Sequence, residues 1–229
     1  MNAAAFSALL ALVAIGWIYR DPPDQASAAP GKFGVYLSKR EWVLASLAGA
    51  IWGTYNVGYI VLVSFAPEFF TARGYSLERA SSIVSLVGWL LIPSVPVSGY
   101  LVERLRRPDM LVFAGLGTVT IALAALPSVS APAALFFFIA LLIGIPAGLM
   151  MALPANVLRS ESVAAGMGVF YVWYYAEMTV LPGVAGATRD LSGAAAAPIL
   201  FAAAMMALAS ICLAGFRLAT RASSSSQET

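Results

Sequence analysis

Histidine is absent from this chain of 229 residues, cysteine occurs once, and only 10% of the residues are charged. Each scarcity excludes something. Without histidine, most zinc sites and any triad built on that residue are ruled out, so no metal and no cofactor is expected. Cys212 has no partner for a disulfide within the chain and lies in an apolar run, so it reads as a small buried apolar residue. The charged fraction is well below the roughly 25% of soluble domains. A net charge of +2 with no concentrated basic face argues against a nucleic-acid partner. What the chain has instead is apolar surface. Hydrophobic residues make up 61% of it, more than a soluble core of this size can bury, and lipid is the natural solvent for the excess. The expected fold class is all-α, a polytopic membrane helical bundle in contact with the bilayer.

A spanning helix needs about 20 mostly apolar residues. Seven stretches qualify, at 3–19, 42–66, 80–102, 110–127, 133–157, 163–187 and 194–216. The segment 20–41 carries Asp21, Pro22, Pro23, Asp24, Pro30, Gly31, Lys32, Lys39 and Arg40 and reads as a flexible polar linker. The domain plan is therefore a first helix at 1–19, a cytoplasmic linker at 20–41, a six-helix bundle at 42–216, and a tail at 217–229. The Ser-rich end from Ser223 to Thr229 reads as disordered. With seven spans, ten Lys and Arg fall on one side: Arg20, Lys32, Lys39, Arg40, Arg104, Arg106, Arg107, Arg159, Arg217 and Arg221. Arg73, Arg79 and Arg189 fall on the other. The positive-inside bias then sets the N-terminus outside and the C-terminus in the cytoplasm. The competing account of residues 3–18 is a signal peptide cleaved near Ala26-Ser27-Ala28. Its n-region has no Lys or Arg, and cleavage would strand Lys32, Lys39 and Arg40 outside.

Charges within a membrane are costly and mark function by default. Glu177 is the one acid near the middle of a span, and no Lys or Arg sits mid-span. Helical spacing puts Phe170, Trp173, Tyr174, Glu177 and Leu181 near one face. A carboxyl there that gains and loses a proton as its surroundings switch is what proton coupling needs. The plainer alternative is a protonated carboxyl that only ties helices together. In the second span, Trp52, Tyr55, Asn56 and Tyr59 recur at helical spacing and form one stripe of aromatic and hydrogen-bonding groups. A lipid-facing Asn would be costly, so the stripe is expected to face the bundle interior, where aromatic walls and a few polar groups suit a small-molecule site. The alternative is an interhelical hydrogen bond by Asn56. Breakers are frequent. Pro93 and Pro96 are expected to interrupt the third span. Gly144, Pro146, Gly148 and Pro154 punctuate the fifth, and Pro182, Gly183 and Gly186 are expected to end the sixth.

Between the third and fourth spans the chain reads Gly99-Tyr100-Leu101-Val102-Glu103-Arg104-Leu105-Arg106-Arg107. This loop resembles the G-x-x-x-D-R-x-G-R-x signature of the major facilitator superfamily. Gly99, Glu103, Arg104 and Arg107 take the Gly, acid and two basic positions. Glu103 stands in place of Asp, and Arg106 in place of the second Gly. Residues Gly186 to Gly193 resemble the family's short external turn between its last two helices, and the aromatic-Asn stripe resembles its seventh, cavity-lining helix. By position, the first span resembles family helix six and the rest resemble helices seven to twelve, across essentially the whole chain. The stretches Pro67 to Gly74 and Ala80 to Gly99 also resemble small-anion and organic-acid members, such as cyanate-transporter-like proteins.

The resemblance implies a secondary transporter, or the C-terminal portion of one, in a bacterial plasma membrane. It would move a small solute, such as a small organic or inorganic anion, by alternating access. Trp52, Tyr55, Asn56 and Tyr59 are expected to contact the solute, with Trp173, Tyr174 and Glu177 beside them and Glu177 as the proton-coupling residue. Gly99, Glu103, Arg104 and Arg107 are expected to form a gating loop through cytoplasmic charge contacts. Family members rock two six-helix halves around a midplane site. The chain is accordingly expected to pair with an N-terminal half or a second copy of itself, or to be an inactive truncated fragment. A seven-helix receptor is the other alternative. Its retinal form fails because both lysines, Lys32 and Lys39, lie in the linker. No Gly-x-Ser-x-Gly elbow or mid-membrane Asp pair supports an enzyme.

Overall fold

The structure, a computed structural model, describes Trp17 and residues 37–225. The expected first span, the linker up to residue 36 and the end of the tail lie outside the described residues. Those described from residue 37 onward form helices and turns with no strand. The helices are α1 (Lys39–Thr71), α2 (Leu77–Leu105), α3 (Pro108–Ala125), α4 (Pro132–Leu142), α5 (Ile145–Met151), α6 (Val163–Ser192) and α7 (Ala197–Ser225). Short 3-10 turns follow α3 at Leu126–Ser128 and α5 at Pro154–Asn156.

Five stretches are long and apolar enough to cross a membrane: Lys39–Thr71, Leu77–Leu105, Pro108–Ser128, Pro132–Asn156 and Ala197–Arg221. They coincide with five of the expected spans. The helix at the remaining described span, α6, has 30 residues, about 45 Å at 1.5 Å per residue. It has the length to span but is less apolar, because Tyr171, Trp173, Tyr174, Tyr175 and Glu177 crowd its middle.

Helix α1 is the axis of the bundle, packing against α2, α5, α6 and α7. Of its most apolar stretch 61% is buried, against 22% for α2. Small residues make this possible. A Cβ on Gly49 would lie 2.6 Å from the Phe170 carbonyl oxygen and 2.9 Å from the Trp173 Cβ. A Cβ on Gly58 would lie 2.9 Å from the Met206 Cε and 3.2 Å from the Ala202 carbonyl oxygen. The Gly49-x-x-x-Gly53 spacing thus brings α6 almost onto the α1 backbone, the small-residue packing that membrane helices use. Around the outside, Trp89, Ile92, Ile121, Val172 and Ile211 are exposed, as a lipid-facing surface requires.

Polar groups collect at the two ends. Ser38 caps α1 through a reciprocal box: its side chain accepts from the Glu41 N–H at 3.2 Å, and its own N–H donates to Glu41 at 2.9 Å. The buried Glu41 carboxylate also accepts from Arg159 Nε at 3.0 Å, from Arg159 Nη2 at 3.1 Å and from the Ser162 hydroxyl at 2.5 Å. The carboxylate beside it raises the Arg159 guanidinium above its ordinary value. Arg217 pairs with Asp109 at 2.5 Å at the same end. At the opposite end Arg189 pairs with Glu68 at 2.7 Å. There Arg73 donates to the carbonyls of Val129, at 2.9 Å, and Pro127.

Several local expectations change. Pro93 and Pro96 lie inside an unbroken α2. Each removes one backbone donor, and the flanking turns carry the helix through. Pro182, Gly183 and Gly186 do not end α6, which runs on to Ser192 and stops at Gly193 in the left-handed region. The expected external turn at Gly186 to Gly193 is therefore helix up to its last residue. Lys39 and Arg40 belong to α1 rather than to the linker, and the backbone of the expected tail is helical as far as Ser225. The α2–α3 turn is tight despite lacking the family's second Gly. Arg106 adopts φ 52 there, the sole positive φ at a non-glycine among the described residues, and Pro108 opens α3.

Two outcomes follow. Arg106→Gly should stabilise the fold by about 1 kcal/mol, because an L side chain is strained in that region. A melting temperature in detergent that does not rise would show no strain is stored there. Gly49→Ala should destabilise by about 1–3 kcal/mol through overpacking against backbone. Gly53→Ala should cost less, because the carboxyl of Glu177 that it meets can swing. Equal losses in a denaturation series would contradict this.

Candidate functional site

Beside the axis helix lies a cavity of about 260 Å³. Its α1 wall is the stripe Trp52, Tyr55, Asn56 and Tyr59, facing inward as its spacing predicts. Leu91 and Val95 of α2 form a second wall, and Ala147, Gly148 and Met151 of α5 a third. The second and third walls carry no polar side chain, and apart from the breaker Gly148 they gave no sequence signal. They are ordinary apolar helix residues that only the packing of α2 and α5 on α1 brings together.

The third wall depends on the break between α4 and α5. Pro146 has no N–H for the Leu142 carbonyl, and the Ala147 N–H turns to Gly144 at 3.3 Å. The Ile143 carbonyl thereby loses its helical donor. The buried Tyr55 hydroxyl supplies one, donating to that oxygen at 2.5 Å. On the other side Gly144 lies against Ser94 of α2, so closely that a Cβ there would overlap the hydroxyl. The break is thus clamped between α1 and α2. The expected interruption at Gly144 and Pro146 is present, while Gly148 lies within α5 and lines the cavity.

Asn56 makes no interhelical bond in this arrangement. Its amide nitrogen donates to the Trp52 carbonyl at 2.7 Å, one turn back in α1. That bond fixes the orientation of the amide. It leaves the amide oxygen and the second amide N–H for other partners. Trp52 stacks on Tyr55 with centroids 5.8 Å apart and meets Tyr174 of α6 at 6.5 Å.

The α6 residues do not line this cavity. Tyr174 reaches its edge only through Trp52. Trp173 has its Cβ against Gly49 and is 41% exposed. Glu177 packs on Gly53 so closely that a Cβ there would overlap Glu177 Oε2. That oxygen is buried without a hydrogen-bond partner. Residues 52 and 53 lie about 100° apart on a helix, which turns the carboxyl away from the cavity, roughly a quarter turn round α1.

The expected gating loop is looser than its motif suggests. Gly99 has open space about it, and Arg104 donates to the Tyr100 hydroxyl at 3.1 Å. Glu103 and Arg107 are exposed, and neither they nor Arg104 joins an ion pair among the described residues. Helices are tied at that end by Glu41–Arg159 and Asp109–Arg217 instead. The Ser38-x-x-Glu41 capping pattern was a legible signal for half of the first tie.

A bundle of apolar helices, sorted in charge between its ends and holding a cavity against its axis helix, defines an integral membrane protein of transporter type. The family model of the Major Facilitator Superfamily matches residues 2–182, and the chain belongs to that superfamily. The curated proteins and the solved structures yield no match.

Tyr55→Phe keeps the ring and removes the donor to Ile143. It should destabilise the fold by about 1–3 kcal/mol, the cost of an orphaned buried carbonyl. Thermal unfolding in detergent checks this, and an unchanged midpoint would mean the break holds itself.

Proposed function

We propose that this chain takes part in secondary transport of a small solute by alternating access, with the cavity at Trp52, Tyr55, Asn56 and Tyr59 as its half of the solute site. The observation that carries this reading is the Tyr55–Ile143 hydrogen bond. It joins a residue of the solute wall to the break that positions the facing wall. A solute that engages Tyr55 competes for that hydroxyl and so alters the hold on α5. Contact with solute and movement of the wall are thereby linked. The Gly144 and Pro146 break supplies the place to bend.

Glu177 is the proton-coupling residue of this proposal. A buried carboxylate oxygen without a hydrogen-bond partner is tolerated when protonated and costly when charged. Its charge state therefore responds to any movement of α6 against Gly53 that admits water. Because it lies roughly a quarter turn round α1 from the cavity and does not line it, the coupling acts through the α1–α6 contact, not through direct contact with solute. Glu103, Arg104 and Arg107 remain available for charge contacts with the cytoplasmic face of a second half. The small-anion class draws no support from this cavity, which no cationic residue lines.

Proteoliposomes containing the full chain, incubated with a mixture of small solutes and read by mass spectrometry, test the proposal. One solute should accumulate above the level of empty liposomes, and an inward proton gradient should raise that level. Asn56→Leu should lower uptake at least tenfold. Glu177→Gln should leave uptake indifferent to the gradient. A retained gradient response in that variant removes the coupling role, and no accumulation at all removes the transport reading for this chain alone.

A further inference from the structure

We infer that the part of the solute seated in this cavity is uncharged, largely apolar, about one ring in size and hydrogen-bonded to the Asn56 amide. The inference rests on the cavity being the solute site. Four observations lead to it.

None of the lining residues is acidic or basic. No Lys or Arg occurs in α1 between Arg40 and Arg73, in α2 between Arg79 and Arg104, or anywhere from Pro132 to Asn156. All three walls are therefore free of cations along their length. An anion stripped of water here would have no countercharge, and uncompensated burial of charge is the costliest form of desolvation. A cation fares little better. Glu177 is turned toward Gly53 and does not line the cavity. Trp52 and Tyr55 stack on each other, so one face of each ring is already covered. What remains of the aromatic wall is too small to cage a cation in the manner of quaternary-ammonium sites.

Part of the hydrogen-bonding capacity of the wall is committed. The Tyr55 proton goes to Ile143, and one amide N–H of Asn56 goes to the Trp52 carbonyl. Asn56 keeps its amide oxygen and its second N–H, and Tyr59 brings a hydroxyl, so the wall offers a solute neutral hydrogen-bonding groups and no charge. Size then limits the rest. An apolar cavity of about 150 Å³ holds benzene. The 260 Å³ here accommodate one ring with a small substituent.

Benzamide, benzoate and benzamidine share one planar shape and differ in charge. Their binding to the full chain in lipid nanodiscs, measured by equilibrium dialysis at neutral pH with empty nanodiscs subtracted, tests the inference. Benzamide should bind saturably and at least tenfold more tightly than either charged probe. Asn56→Leu should weaken it about tenfold, and Ile211→Ala, on the exposed outer face of α7, should leave it unchanged. Helical content and melting temperature of each variant establish that it has folded. Benzoate or benzamidine binding as tightly as benzamide, and sensitive to Asn56, overturns the solute class while leaving the cavity as the site. Binding of no probe, or binding indifferent to Asn56, overturns the inference together with the cavity's role.

Discussion

The bundle depends on how closely two helices can approach α1. At Gly49 and Gly58 the neighbouring backbones of α6 and α7 stand where side chains would otherwise be. In lipid there is no hydrophobic force between helices, so close van der Waals packing must supply the attraction. The glycines provide it on two faces of one helix. The remaining face of α1 is then free to carry bulky residues, and Trp52, Tyr55, Asn56 and Tyr59 occupy it. The cavity and the packing are two consequences of one distribution of large and small side chains around α1.

A second constraint follows from the first. With α1 held at its neighbours, the Tyr55 hydroxyl is delivered to the one carbonyl that the α4–α5 break leaves without a helical donor. Unsatisfied backbone is expensive in a membrane and persists only where protein or a cavity attends to it. Here both conditions are met: Tyr55 satisfies the carbonyl, and α5 beyond the break lines the cavity. The ends of the bundle obey the same rule in polar form. Glu41, with five donor groups from Ser38, Arg159 and Ser162, ties the start of α1 to the segment leading into α6. This is a cross-link between elements that the basic α2–α3 turn does not make.

Much of this was legible beforehand for a physical reason. Hydropathy and helical periodicity are local properties, so five spans, the sorting of charge and the inward stripe of α1 could be read from neighbouring residues. The motif between α2 and α3 was legible in kind, and the conformation of Arg106 shows that the turn survives without its glycine. Proline and glycine were the least dependable guides. Pro93, Pro96 and Pro182 sit inside continuous helices, whereas Gly144 and Pro146 mark a true break. The difference lies in surroundings: only at the latter does another helix offer a donor for the freed carbonyl.

By itself, the sequence determined a membrane-embedded helical bundle, its likeness to one superfamily, and which face of α1 turns inward. Tertiary structure alone decided the rest. It brought together residues 88 apart at Tyr55 and Ile143, and 118 apart at Glu41 and Arg159. It set Glu177 against Gly53 instead of in the cavity, and it chose the apolar partners of the aromatic stripe. Periodicity specifies the face a residue occupies on its own helix. Which neighbour meets that face is set by side-chain volumes on two helices at once, and no single segment contains that information.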